Sequence, residues 1–270
     1  MPEWAKCDHC RMESIIDFER MASAHWRGTE EEWLGDWLLR AAEGFTGRAN
    51  SALPLGDPGL PLDEALVAVT QWYRARDLPP MIVVPTSLQA DSHGQALDNQ
   101  LSERMWLTRP GPAFVMVADL PLRVPPDGLT PDREIQRSPE PDDAWAARYH
   151  YRGQAHLPPV ARKVLTSARE QSFMSIRDGD EVLAIARLSI SGGWAGITAV
   201  EVHQGHRRQG LGAAITAAAC LAARERGLAR VFLQVEVDNT AARALYKRLG
   251  FRDSHRYHYR LAPAYARGRS

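Results

Sequence analysis

One ten-residue stretch constrains this chain more than any other: Gln204-Gly205-His206-Arg207-Arg208-Gln209-Gly210-Leu211-Gly212-Ala213. The hydrophobic run Ile197 to Val202 leads into it, and an alanine-rich amphipathic segment reaching about Arg226 leads out. That order predicts strand, glycine-rich turn and helix. Glycine lets the backbone come close to a ligand, and the first turn of a helix offers unpaired N–H groups at the positive end of its dipole. Arg207 and Arg208 add formal charge at the same place. Together these features predict a cradle for a pyrophosphate. A dinucleotide-binding turn would need G-x-G-x-x-G within a βαβ unit, followed by an acidic residue. Here the third glycine is missing and the basic residues precede the helix.

The flanking sequence supplies a frame. Val231 to Val237 predicts the next strand, Asn239 or Thr240 can cap a helix running to Leu249, and Gly250 closes it. Tyr257 to Leu261 alternates as a final strand. Upstream, Asp142 to about Arg152 and Pro158 to about Ala168 read as helices. Ser172–Arg177 and Glu181–Ile190 read as a hairpin turning at Asp178-Gly179-Asp180. The first half predicts helices over Ser14–His25, Leu62–Arg76 and Gln95–Met105. Strands are expected over Trp33–Arg40, Ala49–Leu55, Met81–Val84 and Ala113–Ala118.

Helix, strand, helix, strand over residues 62–118 recurs in the same order over 211–261, which predicts a degenerate duplication. Between the two runs, residues 121–141 hold six prolines among charged residues and predict an extended linker. The expected division is a first lobe over 1–120, the linker over 121–141 and a second lobe over 142–270. Where the second lobe has the cradle, the first has Leu55-Gly56-Asp57-Pro58-Gly59-Leu60-Pro61. Its prolines remove backbone donors, and Asp57 would repel a phosphate. The first lobe is therefore expected to keep the fold and to have lost the ligand.

The totals exclude several classes. Lys and Arg together balance Asp and Glu at 33 each, so the chain lacks the basic excess of a nucleic-acid binder. No apolar run approaches the ~20 residues of a membrane span. Three cysteines and no signal peptide predict a reducing, cytoplasmic setting. Cys7-Asp8-His9-Cys10 offers two thiolates, but no second ligand pair follows, so no metal is expected.

Arg207 to Gly212 fits the Arg/Gln-x-x-Gly-x-Gly/Ala pattern of the GNAT acetyltransferase superfamily. Asn239-Thr240-Ala241-Ala242-Arg243-Ala244-Leu245-Tyr246-Lys247-Arg248-Leu249-Gly250-Phe251 resembles that superfamily's second signature, Asn-x-x-Ala-x-x-x-Tyr-x-x-x-Gly-Phe. The resemblance implies an α/β fold with a mixed sheet in tandem GNAT-like lobes, the first degenerate and the second binding acetyl-CoA. It places the pyrophosphate on the backbone of Arg208, Gln209, Gly210, Leu211, Gly212 and Ala213, beside Arg207. The pantetheine arm would pair with Val200–Val202. Tyr246 would protonate the leaving thiolate, and Asn239 would bridge two splayed strands or cap its helix. The base is open between Glu201, Glu236 and a water relay or another residue. Strand alternation points Glu201 opposite to Val200 and Val202. His203 and His206 read as electrostatic partners of the phosphates.

Over its whole length, including Gly44–Ser51 and Leu53–Gly59, the chain resembles two-lobed actinobacterial GNAT proteins associated with N-acetylglutamate synthase activity. That implies acetyl transfer to the primary amine of a small molecule, an amino acid with glutamate favoured. No dicarboxylate site can be derived from the residues: Lys163, Arg177 and Arg187 carry suitable charge, but strand and helix arginines are usually solvated. The alternatives are a mycothiol-synthase-like or protein N-acetyltransferase and, in a different class, a non-catalytic acetyl-CoA-binding or interaction protein. The expected partner is a small amine, with neither nucleic acid nor membrane, and a homodimer is left open.

Overall fold

Hydrophobic segments from both halves of the chain pair into one continuous sheet. The computed structural model describes residues 14–88, 93–122, 134–149 and 157–263. The first half contributes α1 (Ile15–Ser23), β1 (Glu30–Leu34), β2 (Trp37–Ala41), β3 (Leu53–Pro54), α2 (Leu62–Arg74), β4 (Met81–Ser87), α3 (His93–Glu103) and β5 (Leu107–Asp119). After it come β6 (Ile135–Ser138), α4 (Asp143–Arg148), α5 (Pro159–Leu165), β7 (Glu170–Asp178), β8 (Glu181–Ser191) and β9 (Trp194–Val202). The chain continues through α6 (Leu211–Glu225), β10 (Arg230–Glu236), α7 (Thr240–Arg248) and β11 (Arg252–Leu261).

The large sheet runs β4-β11-β5-β10-β9-β8-β7-β6, and β1-β2-β3 form a small second sheet. The two halves interleave: β11 lies between β4 and β5, and β5 lies between β11 and β10. Every pairing in the large sheet is antiparallel except β9 with β10. The result is the α/β architecture with a mixed sheet that the resemblance implies. Among the described residues, no helix is long and apolar enough to cross a membrane.

Each face of the sheet is covered for a reason visible in the sequence. On one face, α6 lays its alanines against Met116, Leu188, Ile197 and Leu233. Small side chains there let the helix sit close to the strands. On the other face, α1 packs through Phe18, whose ring meets those of Trp194 and Phe232 edge-on at 5.5 and 5.2 Å. Ser14 starts α1 by accepting the Asp17 amide at 3.1 Å. On the face of β4 opposite to α1, α2 presents Leu66, Val69 and Tyr73 to Ile82 and Val84, which alternate with the α1-facing Met81 and Val83.

Several boundaries differ from the sequence expectation. The run Trp33–Arg40 is not one strand: Gly35, with φ of +53°, turns it back on itself between β1 and β2. Ala49–Leu55 is strand only at Leu53–Pro54, because Asn50 gathers the preceding backbone into a loop. Its Oδ1 accepts from Ala42 N and Gly44 N, and its Nδ2 donates to the Phe45 and Thr46 carbonyls. Within the proline-rich stretch, residues 135–138 form the edge strand β6 against β7. The Cys7–Cys10 stretch lies outside the described residues.

Candidate active site

The parallel pair β9–β10 opens like a V. Their register runs only from Ala195↔Val231 to Ile197↔Leu233, although β9 continues to Val202 and β10 to Glu236. Among the described residues, no strand pairs with the β10-facing backbone edge of β9 beyond Ile197. A β-bulge shapes this arm: Ala199 has φ of +53°, and the register with β8 slips between Arg187↔Thr198 and Ile185↔Glu201. One extra residue reverses the alternation of everything after it. Ile197, Val200 and Val202 therefore all pack on the α6 face, whereas Ala199 packs on the opposite side. Glu201 is opposite Ile185, which belongs to that same far side. The expected opposition of Glu201 to Val200 and Val202 is what the strand has, but the bulge sets which face each takes.

The turn after β9 closes as a short 3-10 helix, Gln204–His206, and then opens toward solvent. Arg207, Arg208, Gln209 and Gly210 are all exposed. Arg208 has φ of +63°, and Gly210, the residue before α6, sits in the left-handed region at +81°. Ala214 N donates to Gly210 O at 3.0 Å, the first bond of the helix. The amides of Leu211, Gly212 and Ala213 thus precede any intrahelical acceptor. Such a turn fits an anion. His203 and His206 each stand 3.9 Å from Glu181.

The second signature folds onto the first. Asn239 accepts the Ala242 amide at 3.1 Å and so caps α7. At the other end, Gly250 (φ of +93°) donates to Lys247 O and Phe251 N donates to Tyr246 O, the paired bonds of a Schellman ending. A Cβ placed on Gly212 would come within 3.3 Å of Leu245 Cδ1 and 3.6 Å of Val202 Cγ2. The start of α6, the end of β9 and α7 therefore meet at Gly212. Tyr246, on the same helix, is buried in the cluster with Ile197 and Val235, and burial pushes its phenol up to about 12.

Where the V opens, the face away from α6 holds a cavity of about 30 Å³, room for about two waters. Thr198 from β9 and Phe232 and Gln234 from β10 form its floor, and Glu19, His25, Arg40 and Arg48 come from the first half. Glu236, two residues beyond Gln234 on β10, lies on this face and is exposed. Arg48 donates to Gln234 Oε1 at 2.5 Å and stacks over the Trp26 ring at 4.7 Å. Behind the floor stands Arg187, fully buried rather than solvated as the sequence suggests. It donates to the carbonyls of Leu165 and His25 and to Thr198 Oγ1, but Nη2 has no partner among the described residues. Burial, then repulsion from Arg48, lowers its guanidinium to about 9. Burial likewise lowers Arg40. Arg177 pairs with Asp142 and Lys163 is exposed, so neither joins this group.

Nothing local in the sequence marks Glu19, His25, Trp26 or Arg40 as residues of this site. Each lies far from the signatures, and only the Gly44–Ser51 loop carried a hint, through Arg48. His25 is held by Ser189 Oγ at 2.9 Å and by the Ser191 carbonyl, to which its Nε2–H donates, at 3.2 Å. Burial lowers this imidazole from 6.5 to about 4. The unfolded chain therefore takes up the proton first on acidification. Stability is full above pH 6.5 and is lost as pH falls toward 4, by roughly 3 kcal/mol. Denaturant midpoints measured across that window are expected to fall for the wild type and to fall less steeply for His25→Asn.

The family described as "Probable histone acetyltransferase Rv0428c C-terminal" matches residues 13–260. The chain belongs to this GNAT-type family. It is 30% identical over 268 residues to the probable histone acetyltransferase Rv0428c of Mycobacterium tuberculosis, covering 96% of this chain and 76% of that one. It is 25% identical over 263 residues to the uncharacterized N-acetyltransferase YobR of Bacillus subtilis, covering 93% and 99%. A solved tandem GNAT protein from the clavulanic acid biosynthesis pathway superposes with a TM-score of 0.62 at 16% identity, over 78% of this chain and 74% of that one. That likeness establishes the shared fold. As a member of the Rv0428c C-terminal family, the chain is an N-acetyltransferase, and GNAT proteins draw the acetyl group from acetyl-CoA.

Proposed function

We propose that the protein acetylates the primary amine of a small, carboxylate-bearing acceptor, an α-amino acid, with glutamate the favoured candidate. The observation that carries this reading is the charge around the cavity at the mouth of the V. Arg40 and Arg48 line it, Arg187 stands behind it with one unpartnered nitrogen, and Glu19 is the one carboxylate in its lining. Buried guanidinium groups without matching anions are costly, and a substrate carboxylate would relieve that cost. A lysine on a basic tail would add a further cation to the same place.

Acetyl-CoA fits the opposite side of the V. The open edge of β9 at Val200–Val202 suits the amide-rich pantetheine arm. The amides from Arg208 through Ala213, with Arg207, suit the pyrophosphate. Tyr246 is the proton donor to the departing sulfur in this reading, with Asn239 holding the start of its helix. Glu201 and Glu236, both on the cavity side of their strands, are the strand carboxylates available as base. The setting of such a reaction is the cytoplasm.

Thiol release from acetyl-CoA, measured against L-glutamate, other amino acids, glutamate α-amide and a lysine-rich peptide, tests the acceptor. Glutamate or another free amino acid is expected to turn over. Arg48→Ala is expected to raise that acceptor's KM about 10- to 100-fold, as loss of a charged hydrogen bond does, with the acetyl-CoA KM unchanged. Turnover of the peptide with none of any amino acid would reject the carboxylate reading.

A further inference from the structure

Two strand carboxylates compete for the role of base, yet neither is the acid buried in the cavity. That acid is Glu19, on the sheet-facing side of α1 and only 6% exposed. Its Oε1 lies 2.7 Å from His255 Nε2, and His255, on β11, is completely buried. The other ring nitrogen, His255 Nδ1, lies 3.1 Å from Ser254 Oγ, and Ser254 is exposed. The three groups thus form an unbroken hydrogen-bonded line from the cavity to water. It joins α1 to β11.

We propose that Glu19 is the general base of the transfer and that the proton it takes leaves through His255 and Ser254 to solvent. The proposal rests on the reading of the cavity as the acceptor site, with the α-amine of the amino acid lying beside the carboxylate that Arg40 and Arg48 would pair with. An ammonium group cannot attack a thioester until it loses a proton. Glu19 takes that proton, and the freed nitrogen lone pair forms the bond to the thioester carbon. The C–S bond then breaks. Of the two protons that leave nitrogen over the reaction, one passes down the line to water and the other balances the proton delivered to the sulfur. No further reactant is needed.

The surroundings of Glu19 suit this task. Arg40 from β2 and Arg48 from the Asn50 loop face it, with His25 at the end of α1 and Tyr257 and His255 on β11. The two arginines disfavour an ammonium in the cavity and so ease its deprotonation. The histidine gives the captured proton a route that does not cross the acetyl-CoA side of the sheet. A purely structural Glu19–His255 pair would not need to open onto the cavity at one end and onto solvent at the other.

The pH dependence of kcat separates these roles, because it reports groups in the substrate-bound enzyme. With acetyl-CoA and L-glutamate, or the amine that turns over in its place, wild-type kcat is expected to fall on the acid side as the base becomes protonated. Glu19→Gln keeps the shape and an acceptor for His255. It is expected to lower kcat about 100-fold and to erase that acid limb, with the acetyl-CoA KM unchanged. Glu19→Asp, which restores a carboxylate, is expected to recover most of kcat with the limb displaced. If Glu19→Gln fails to fold, the aspartate variant decides, and an undisplaced limb overturns the proposal. An intact limb in Glu19→Gln, with its loss in Glu201→Gln or Glu236→Gln, also overturns it. Failure of every amine would reject the acceptor reading and this relay together, whereas turnover with an unaltered profile rejects the relay alone.

Discussion

Residues 134–270, produced without the first half of the chain, are expected not to fold. The reason lies in the strand order. β10 takes its second partner, β5, over seven register positions from Arg230↔Asp119 to Glu236↔Ala113. β11 is held only between β4 and β5. All of these partners come from before residue 120. Without them, β10 becomes a bare edge and β11 has nothing to pair with in the large sheet. Phe232, Tyr257 and Tyr259, all now buried, would lose the cover of Val83, Ala113, Val115 and Val117. Each large side chain returned to water costs about 1.5–3 kcal/mol, so three approach the ~5–15 kcal/mol margin of a whole domain. Both signatures would still be present, yet acetyl-CoA binding is expected to be absent. Amide dispersion in an NMR spectrum of the fragment is the direct measurement. Adding residues 1–122 as a separate chain is expected to restore it. A cooperative unfolding transition in the fragment alone, near the full-length midpoint, would contradict this account.

That interleaving marks the boundary of what the sequence discloses. The order of helices and strands was legible because each has a local cause: Ser14 before α1, Asn239 before α7, Gly250 after it. The cradle was legible for the same reason, since Gly210 to Ala213 are contiguous. Strand order is a different kind of fact. Nothing local in Leu107–Asp119 states that it will pair with Arg230–Glu236. The same limit hid the acceptor side. Glu19 on an amphipathic helix looks like one more solvated acid until His255, 236 residues away, is placed against it. Arg187 looked solvated because a strand arginine usually is, and only the stacking of Trp26 over it, 5.3 Å away, with the carbonyls of His25 and Leu165, makes burial tolerable. The bulge at Ala199 is the hardest case. A positive φ at alanine has no sequence signal, yet it decides that Val200 and Val202 face α6 while Glu201 faces the cavity side.

Tyr246→Phe is expected to lower kcat about 1,000-fold while leaving the fold and acetyl-CoA affinity in place. The substitution removes one oxygen from a side chain that is 7% exposed and packs beside Phe251, with ring centroids 5.9 Å apart. The helix keeps its Asn239 cap and its Gly250 ending, because neither uses the phenol. The chemistry is another matter. Burial holds the phenol's pKa at about 12, so it stays protonated throughout the working range and can give, rather than take, a proton. The defect should therefore be uniform between pH 6 and 9, with no new limb in the profile. A change of donor separates acid catalysis from packing. The acetyl thioester of an electron-poor aryl thiol leaves as a stable thiolate and needs no proton at the moment of C–S cleavage. With that donor the gap between Tyr246→Phe and wild type is expected to shrink to within about 10-fold, following the Brønsted dependence of acid catalysis. An equal loss with both donors would assign Tyr246 to packing of α7 on the sheet and leave the sulfur's proton to another source.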